Sequence, residues 1–324
     1  MPALPFSIEI IQWLADHRSA LLTVIFQAFS FSGDMQGYIL IIALIYVAYE
    51  KRLAVRLAVL ALFAMSLNHA LKTLIRNPRP FVSDGTYLQK WAVSPDTAAD
   101  LATEYSTPSG HAMASASFYG YLIGTWPTRA VRLALAGCVL MIGASRPYLG
   151  VHYVEDILSG WLGGFAVAYL ALRYGPAVEL LWDRCSYAVQ VTMLLAASLA
   201  VWLATRVLSD WATQAPPTAF ISYAGLLTGI VAAYPLEARL VGFDPRSGGL
   251  AAKLLRYLLC VAIVLATLAG LKSGFSPLSL DSSPLGHLLR FLRYATAGFT
   301  ALFVAPALCV RLGLASSLSS RAES

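Results

Sequence analysis

The chain has 324 residues, of which 58% are hydrophobic and only 12% charged. Soluble domains carry about 25% charged residues, so a water-soluble globule is excluded. The net charge of +6 reads as loop charge that orients a membrane protein, and nucleic-acid binding is not expected.

In chain order, residues 6–17 form a short amphipathic stretch expected along the membrane interface. The N-terminus lacks the basic region of a cleavable signal, so the first span is expected to act as its own insertion signal. Apolar segments at 19–31 and 36–49 flank the turn Ser32-Gly33-Asp34 and predict two crossings. A third, at about 53–75, delivers Lys72 near its far end, and a polar loop is expected over 77–107. The fourth starts at Ser109 and stops near Trp126-Pro127, and the fifth runs to Ser145. A short loop at 146–151 opens with Pro147, and the sixth span starts near His152 and ends near Arg173. Four more apolar segments, near 187–206, 219–236, 254–271 and 291–312, carry no comparable motif. The expected fold is an all-α polytopic membrane helix bundle of ten crossings. Residues 1–18 would form an interfacial helix, 19–175 a six-helix catalytic core, and 176–324 a C-terminal four-helix extension. Cys138, Cys185, Cys260 and Cys309 lack the spacing of a zinc site or a disulfide framework and read as small apolar fillers.

Alternation places the loops holding Lys51, Arg52, Arg56, Arg129, Arg132, Arg173, Arg184, Arg239, Arg246, Lys253 and Arg256 on one side, together with both termini. The positive-inside rule makes that side cytoplasmic. Every polar motif then falls on the outer face.

Those motifs are K-T-L-I-R-N-P-R-P at 72–80, P-S-G-H at 108–111 and S-R-P-Y-L-G-V-H-Y-V-E-D at 145–156. Lys72, Arg79 and Arg146 supply three cations. Ser109 and Gly110 offer a hydroxyl and backbone N–H groups at an expected helix start, where orphan donors and the dipole favour an anion. His111 and His152 are the proton-exchanging groups. Asp156, four residues after His152, would share a helix face with it and fix the imidazole tautomer. Together these groups describe a phosphoryl-transfer site. A lone membrane histidine is most often a helix–helix hydrogen-bond partner, the reading given to His69, while His17 and His287 read as interfacial. Arg76 and Asn77 are open between phosphate contact and a structural or anchoring role, and Glu155 points off the Asp156 face.

The pattern K-x6-R-P, P-S-G-H, S-R-x5-H-x3-D resembles the three-part signature of the type-2 phosphatidate phosphatase superfamily, over about residues 20–173. Each fixed identity is met by chance roughly one time in twenty, and every signature position is filled here. The longer layout, with T-E-Y-S-T-P-S-G-H, is similar to sphingosine-phosphate phosphatases and, more loosely, glucose-6-phosphatases. The resemblance implies His152 as nucleophile, Asp156 as its orienting carboxylate and His111 as general acid, then base. It also implies that Lys72, Arg79, Arg146, Ser109 and Gly110 bind the phosphoryl oxygens. No cofactor and no metal are expected, since no carboxylate cluster suggests Mg²⁺.

A site at the edge of a membrane bundle favours a lipid phosphate or polyprenyl diphosphate substrate. The alternatives are a lipid phosphotransferase, a glucose-6-phosphatase-like hydrolase of a soluble phosphate, and an inert transporter or scaffold. The expected partners are the lipid substrate and the bilayer, with the oligomeric state open. The expected location is a bacterial inner membrane with the site facing the periplasm.

Overall fold

The computed structural model describes residues 4–83, 101–102, 104–209, 218–278 and 283–317. Most of the expected 77–107 loop therefore lies outside the described residues. Among the described residues the regular structure is helical, apart from an isolated bridge between Phe243 and Ser317. The helices are α1 (Glu9–Asp16), α2 (Ala20–Ser32), α3 (Met35–Ala48), α4 (Lys51–Ile75) and α5 (Pro80–Ser83). Then come α6 (Gly110–Thr125), α7 (Arg129–Leu149) and α8 (Val154–Arg184). The chain continues with α9 (Tyr187–Ser209), α10 (Thr218–Leu240), α11 (Leu250–Phe275), α12 (Pro284–Phe299) and α13 (Ala305–Arg311). A π-turn at Thr300–Val304 joins the last two. The chain is an all-α polytopic membrane protein.

The described residues form two compact units. One draws on 1–38 and 60–178, the other on 39–59, 179–211 and 216–324. In the first, Ile11, Phe81, Tyr148, Leu149, Val151 and Tyr153 form a buried cluster joined by Phe6, Ile8, Leu14 and Phe26. The N-terminal stretch thus packs Ile11 and part of Leu14 against protein, while Ile10 and Trp13 stay exposed on α1. In the same unit α8 passes very close to α6. A Cβ on Gly160 would stand 2.7 Å from the Ser109 carbonyl oxygen and 2.9 Å from the Ala112 Cβ. Gly164, one turn on, lies as tightly on the Met113 carbonyl. Small residues at this spacing let two backbones approach in a membrane. On its other side α8 exposes Leu158, Leu162, Tyr169 and Leu170, an apolar surface suited to lipid.

In the second unit Lys51 reaches the buried Glu237 at 2.9 Å. Arg256 is buried and donates to the carbonyls of Asp244 and Ser247. The sulfurs of Cys260 and Cys309 face each other at 3.9 Å, a pairing that their sequence spacing does not suggest.

The long apolar helices among the described residues number fewer than the ten crossings expected. Among the described residues seven helices are long and apolar enough to span a membrane, or up to eight if α2 and α3 form one bent span. These two meet at an angle of 62°, far from the reversal of a hairpin. Their 13 and 14 residues give each only about 20 Å of length against a hydrocarbon core of about 30 Å. Helix α6, with 16 residues, is also short for a full crossing. The bent pair has a topological consequence. Arg18 donates to the Tyr148 carbonyl at 2.8 Å, and the Leu4 N–H donates to Asn77 at 2.9 Å. The N-terminal segment therefore sits at the motif end of its unit. At the far end of the chain, Ser317 bonds to Val241 in the unit that also pairs Lys51 with Glu237.

The close approach of α6 and α8 is testable. Gly160→Val should destabilise the protein by about 1–3 kcal/mol through overpacking, read as a lower unfolding midpoint in detergent. Gly137→Val in α7, where a Cβ meets nothing within 4 Å, should leave the midpoint within experimental scatter.

Candidate active site

Every signature residue falls in the first unit. Lys72 lies in the last turn of α4, and Arg76 ends that helix with a left-handed backbone (φ 56°), an uncommon conformation for a non-glycine residue. Asn77 follows, then Arg79. Ser109 caps α6, its hydroxyl accepting from the Ala112 N–H, and the helix begins at Gly110 as the sequence predicts. Helix α7 runs further than expected, carrying Arg146 in its last turn and ending at Leu149 with Gly150 in the left-handed region (φ 82°). Helix α8 begins at Val154, so His152 stands in the connecting turn and not on the helix.

The His152–Asp156 pair forms despite that. His152 Nδ1 is 3.2 Å from Asp156 Oδ2. Since the carboxylate accepts, Nδ1 carries the proton and Nε2 keeps its lone pair. Asp156 is fully buried, and its carboxylate is well supplied with donors. Ser106 donates to Oδ2, Thr107 to Oδ1, and the Tyr153 N–H to Oδ2 at 2.9 Å. The Asp156 backbone carbonyl accepts from the Ser109 N–H at 2.9 Å, which ties α8 to the cap of α6.

Asn77 links this group to the end of α4. Its side-chain N–H donates to the Thr107 hydroxyl at 2.9 Å, and its carbonyl accepts from the Ser106 N–H at 2.7 Å. Asn77 is thus a buried link between the end of α4 and the segment ahead of α6. Arg76 donates to the Thr73 carbonyl of its own helix, and Glu155 accepts from the Ser7 N–H.

The cations gather around the same turn. Arg79 Nη1 is 3.1 Å from both the Val151 carbonyl and His152 Nε2. Lys72 Nζ lies 3.1 Å and Arg79 Nη2 3.2 Å from one oxygen of Glu104. Arg146 is buried, donates through Nη1 to Ser30, and has no partner for its Nε among the described residues. His111 stands half-buried in the first turn of α6, within electrostatic reach of His152, Arg146, Lys72 and Arg79. Burial, followed by Arg79, Arg146 and Lys72, pushes the His152 imidazole well below its ordinary range, so the ring is neutral at physiological pH. Lys72, assisted by Arg79, holds the Glu104 carboxyl down to about 2 against the opposing effect of burial.

Sequence reasoning missed Ser106 and Thr107 as Asp156 donors, and Glu104 as the partner of two cations. All three lie within the quoted T-E-Y-S-T-P-S-G-H stretch. Only the fold shows that its hydroxyls reach a carboxylate some 50 positions away. Among the described residues no three His, Cys, Asp or Glu side chains gather as a metal site.

The comparisons with known proteins fall on the same residues. Residues 53–179 match the family model of the PAP2 superfamily, the type-2 phosphatidate phosphatases, and span every signature residue. Residues 221–317 match the transmembrane extension of PAP2 superfamily phosphatases. The chain is 28% identical to Undecaprenyl-diphosphatase of Sulfolobus acidocaldarius over 170 residues, which cover 52% of this chain and 78% of that protein. It is 26% identical to Sphingosine-1-phosphate phosphatase 1 of Mus musculus over 283 residues, covering 78% of this chain and 63% of the mouse protein. The alignment thus spans less than two thirds of the mouse relative. Among solved structures, Aquifex aeolicus LpxE shares 20% identity over 54% of this chain and all of its own length, with a TM-score of 0.44. The chain belongs to the PAP2 superfamily, with the superfamily's phosphatase domain over the motif-bearing helices and its transmembrane extension over residues 221–317.

Proposed function

We propose that the chain hydrolyses a lipid phosphomonoester or polyprenyl diphosphate through a phosphohistidine on His152, with residues 19–175 supplying the chemistry. The observation that carries this is the buried His152, oriented by Asp156 on one ring nitrogen and facing the Arg79 guanidinium with the other. Relatives named as undecaprenyl-diphosphatase, sphingosine-1-phosphate phosphatase and phosphatidylglycerophosphatase support a lipid substrate.

In the first step the His152 Nε2 lone pair attacks phosphorus, and the Arg79 donor that faces it turns to a phosphoryl oxygen. Asp156 stabilises the positive charge that develops on the ring. Burial and the surrounding cations disfavour a charged His111, and the negative charge of the bound phosphate offsets those cations so that the ring takes up a proton. It gives that proton to the leaving oxygen, so an alcohol or lower phosphate departs and the phosphoryl group stays on Nε2. His111 then takes a proton from water, whose oxygen attacks phosphorus and releases inorganic phosphate and neutral His152. Lys72, Arg79, Arg146, the Ser109 hydroxyl and the Gly110 N–H hold the three oxygens as charge builds on them. These steps need no metal.

Along the chain, the ends of the helices opposite the motifs carry Lys51, Arg52, Arg129, Arg132, Arg184, Arg239 and Arg246. We assign that side to the cytoplasm and the motif end, with the N-terminal helix, to the opposite face.

Purified protein in detergent with EDTA should release phosphate from a panel of phosphatidate, phosphatidylglycerol phosphate, undecaprenyl diphosphate and sphingosine phosphate. Glucose 6-phosphate serves as the soluble control. His152→Ala should abolish release, and Asp156→Asn should lower kcat sharply with the fold kept. Wild-type turnover in both variants would sink the mechanism, and loss of activity with EDTA that added Mg²⁺ restores would sink metal independence. Thr107→Val should remove an Asp156 donor and strand the Asn77 N–H, costing about 1–3 kcal/mol of stability. It should also lower kcat more than it changes KM, as steady-state kinetics would show.

A further inference from the structure

Glu104 has no part in the steps above, yet it occupies the centre of the cation group. One of its oxygens, Oε2, sits 3.1 Å from Lys72 Nζ and 3.2 Å from Arg79 Nη2, and its backbone carbonyl accepts from Arg79 Nε at 3.3 Å. The exposures differ sharply: the Glu104 side chain is 46% exposed, those of Lys72 and Arg79 only 8% and 2%. An oxygen anion reaching in from the mouth and held by two buried cations is the arrangement a phosphoryl oxygen would adopt. With its carboxyl held at about 2, Glu104 is ionised at every physiological pH and cannot serve as an acid. Its remaining capacity is to compete.

We propose that Glu104 is a tethered anion that shares Lys72 and Arg79 with the phosphoryl group, weakening the site's hold on every phosphate ligand and thereby speeding the departure of inorganic phosphate. This rests on the reading that those two cations bind the phosphoryl oxygens. Three buried cations around a neutral histidine would retain a multiply charged product, and release of such a product readily limits turnover. A carboxylate covalently attached to the same segment competes at a high effective concentration. It re-forms its ion pairs as phosphate leaves, so the cations are not left buried without a counter-charge. The apparent affinity for any ligand is reduced by the fraction of sites whose cations are free. Substrate and product are weakened by the same factor. The effect therefore appears in KM and in product inhibition together.

The test uses the full-length protein in detergent with Glu104→Gln, which keeps the side chain's shape and removes its charge. The Ki for inorganic phosphate and the KM for a short-chain phosphatidate should both fall by a similar factor, tenfold or more, while kcat does not rise. Thermal unfolding gives a readout without turnover. The variant should unfold earlier than wild type in phosphate-free buffer and gain a larger increase in Tm on adding inorganic phosphate. If Glu104 merely held Lys72 and Arg79 in place, its loss would raise Ki and KM and shrink the phosphate-induced shift. That result overturns the proposal, as does an unchanged Ki or no phosphate-induced shift in either protein. A wild type that hydrolyses no member of the lipid panel would defeat the phosphatase reading, and the unfolding comparison would still decide the role of Glu104.

Discussion

The buried carboxylate of Asp156 is what the rest of the site depends on. An ionised group in an apolar interior is costly unless its lone pairs are met, and one left without donors would take up a proton instead. Here donors come from two segments far apart in sequence: Ser106 and Thr107 ahead of α6, and His152 and the Tyr153 N–H ahead of α8. Asn77 extends the network to the end of α4. The carboxylate thus orients His152 and also holds together the chain segments that bring the cations to it.

Much of this was legible in the sequence, for a physical reason. Lys72, Arg79, Ser109, His111, Arg146, His152 and Asp156 stand at fixed spacings beside long apolar segments, where charged and polar side chains are expensive without a purpose. The helix start at Gly110 followed from the Ser-Gly pair. What escaped was everything set by tertiary contact. Nothing local distinguishes Glu104 from a solvated loop acid, or Thr107 from a turn residue, until Lys72 and Asp156 are placed beside them. The turn at Ser32–Asp34 was visible, but its angle was not. A 62° bend and a reversal leave the same mark in the sequence and differ only in where they send the chain. The hydrogen bonds of Leu4 and Arg18, which place the N-terminal segment at the motif end of its unit, have no local mark at all.

Charge and apolar surface divide the remaining work. Around the site the cations are buried, which strengthens their pull on an anion because little water screens them. On the outside of α8 exposed leucines face where lipid would lie. The glycines between α8 and α6 join these two regimes, since their lack of side chains brings the lipid-facing helix against the backbone that presents Ser109.

The place of the N-terminal segment has a consequence for how the site comes to exist. Its hydrogen bonds to Tyr148 and Glu155 close loops of 130 and 148 residues, so the earliest part of the chain to leave the ribosome completes its contacts only after α7 and the start of α8 have been made. Such non-local closure is a slow event in folding. A half-synthesised chain, already holding Lys72, Arg79 and His111, has neither His152 nor the Val151 and Tyr153 side chains against which Ile11 packs. The turn that carries His152 and the N-terminal segment that packs on its two neighbours therefore come together in assembly as one late step.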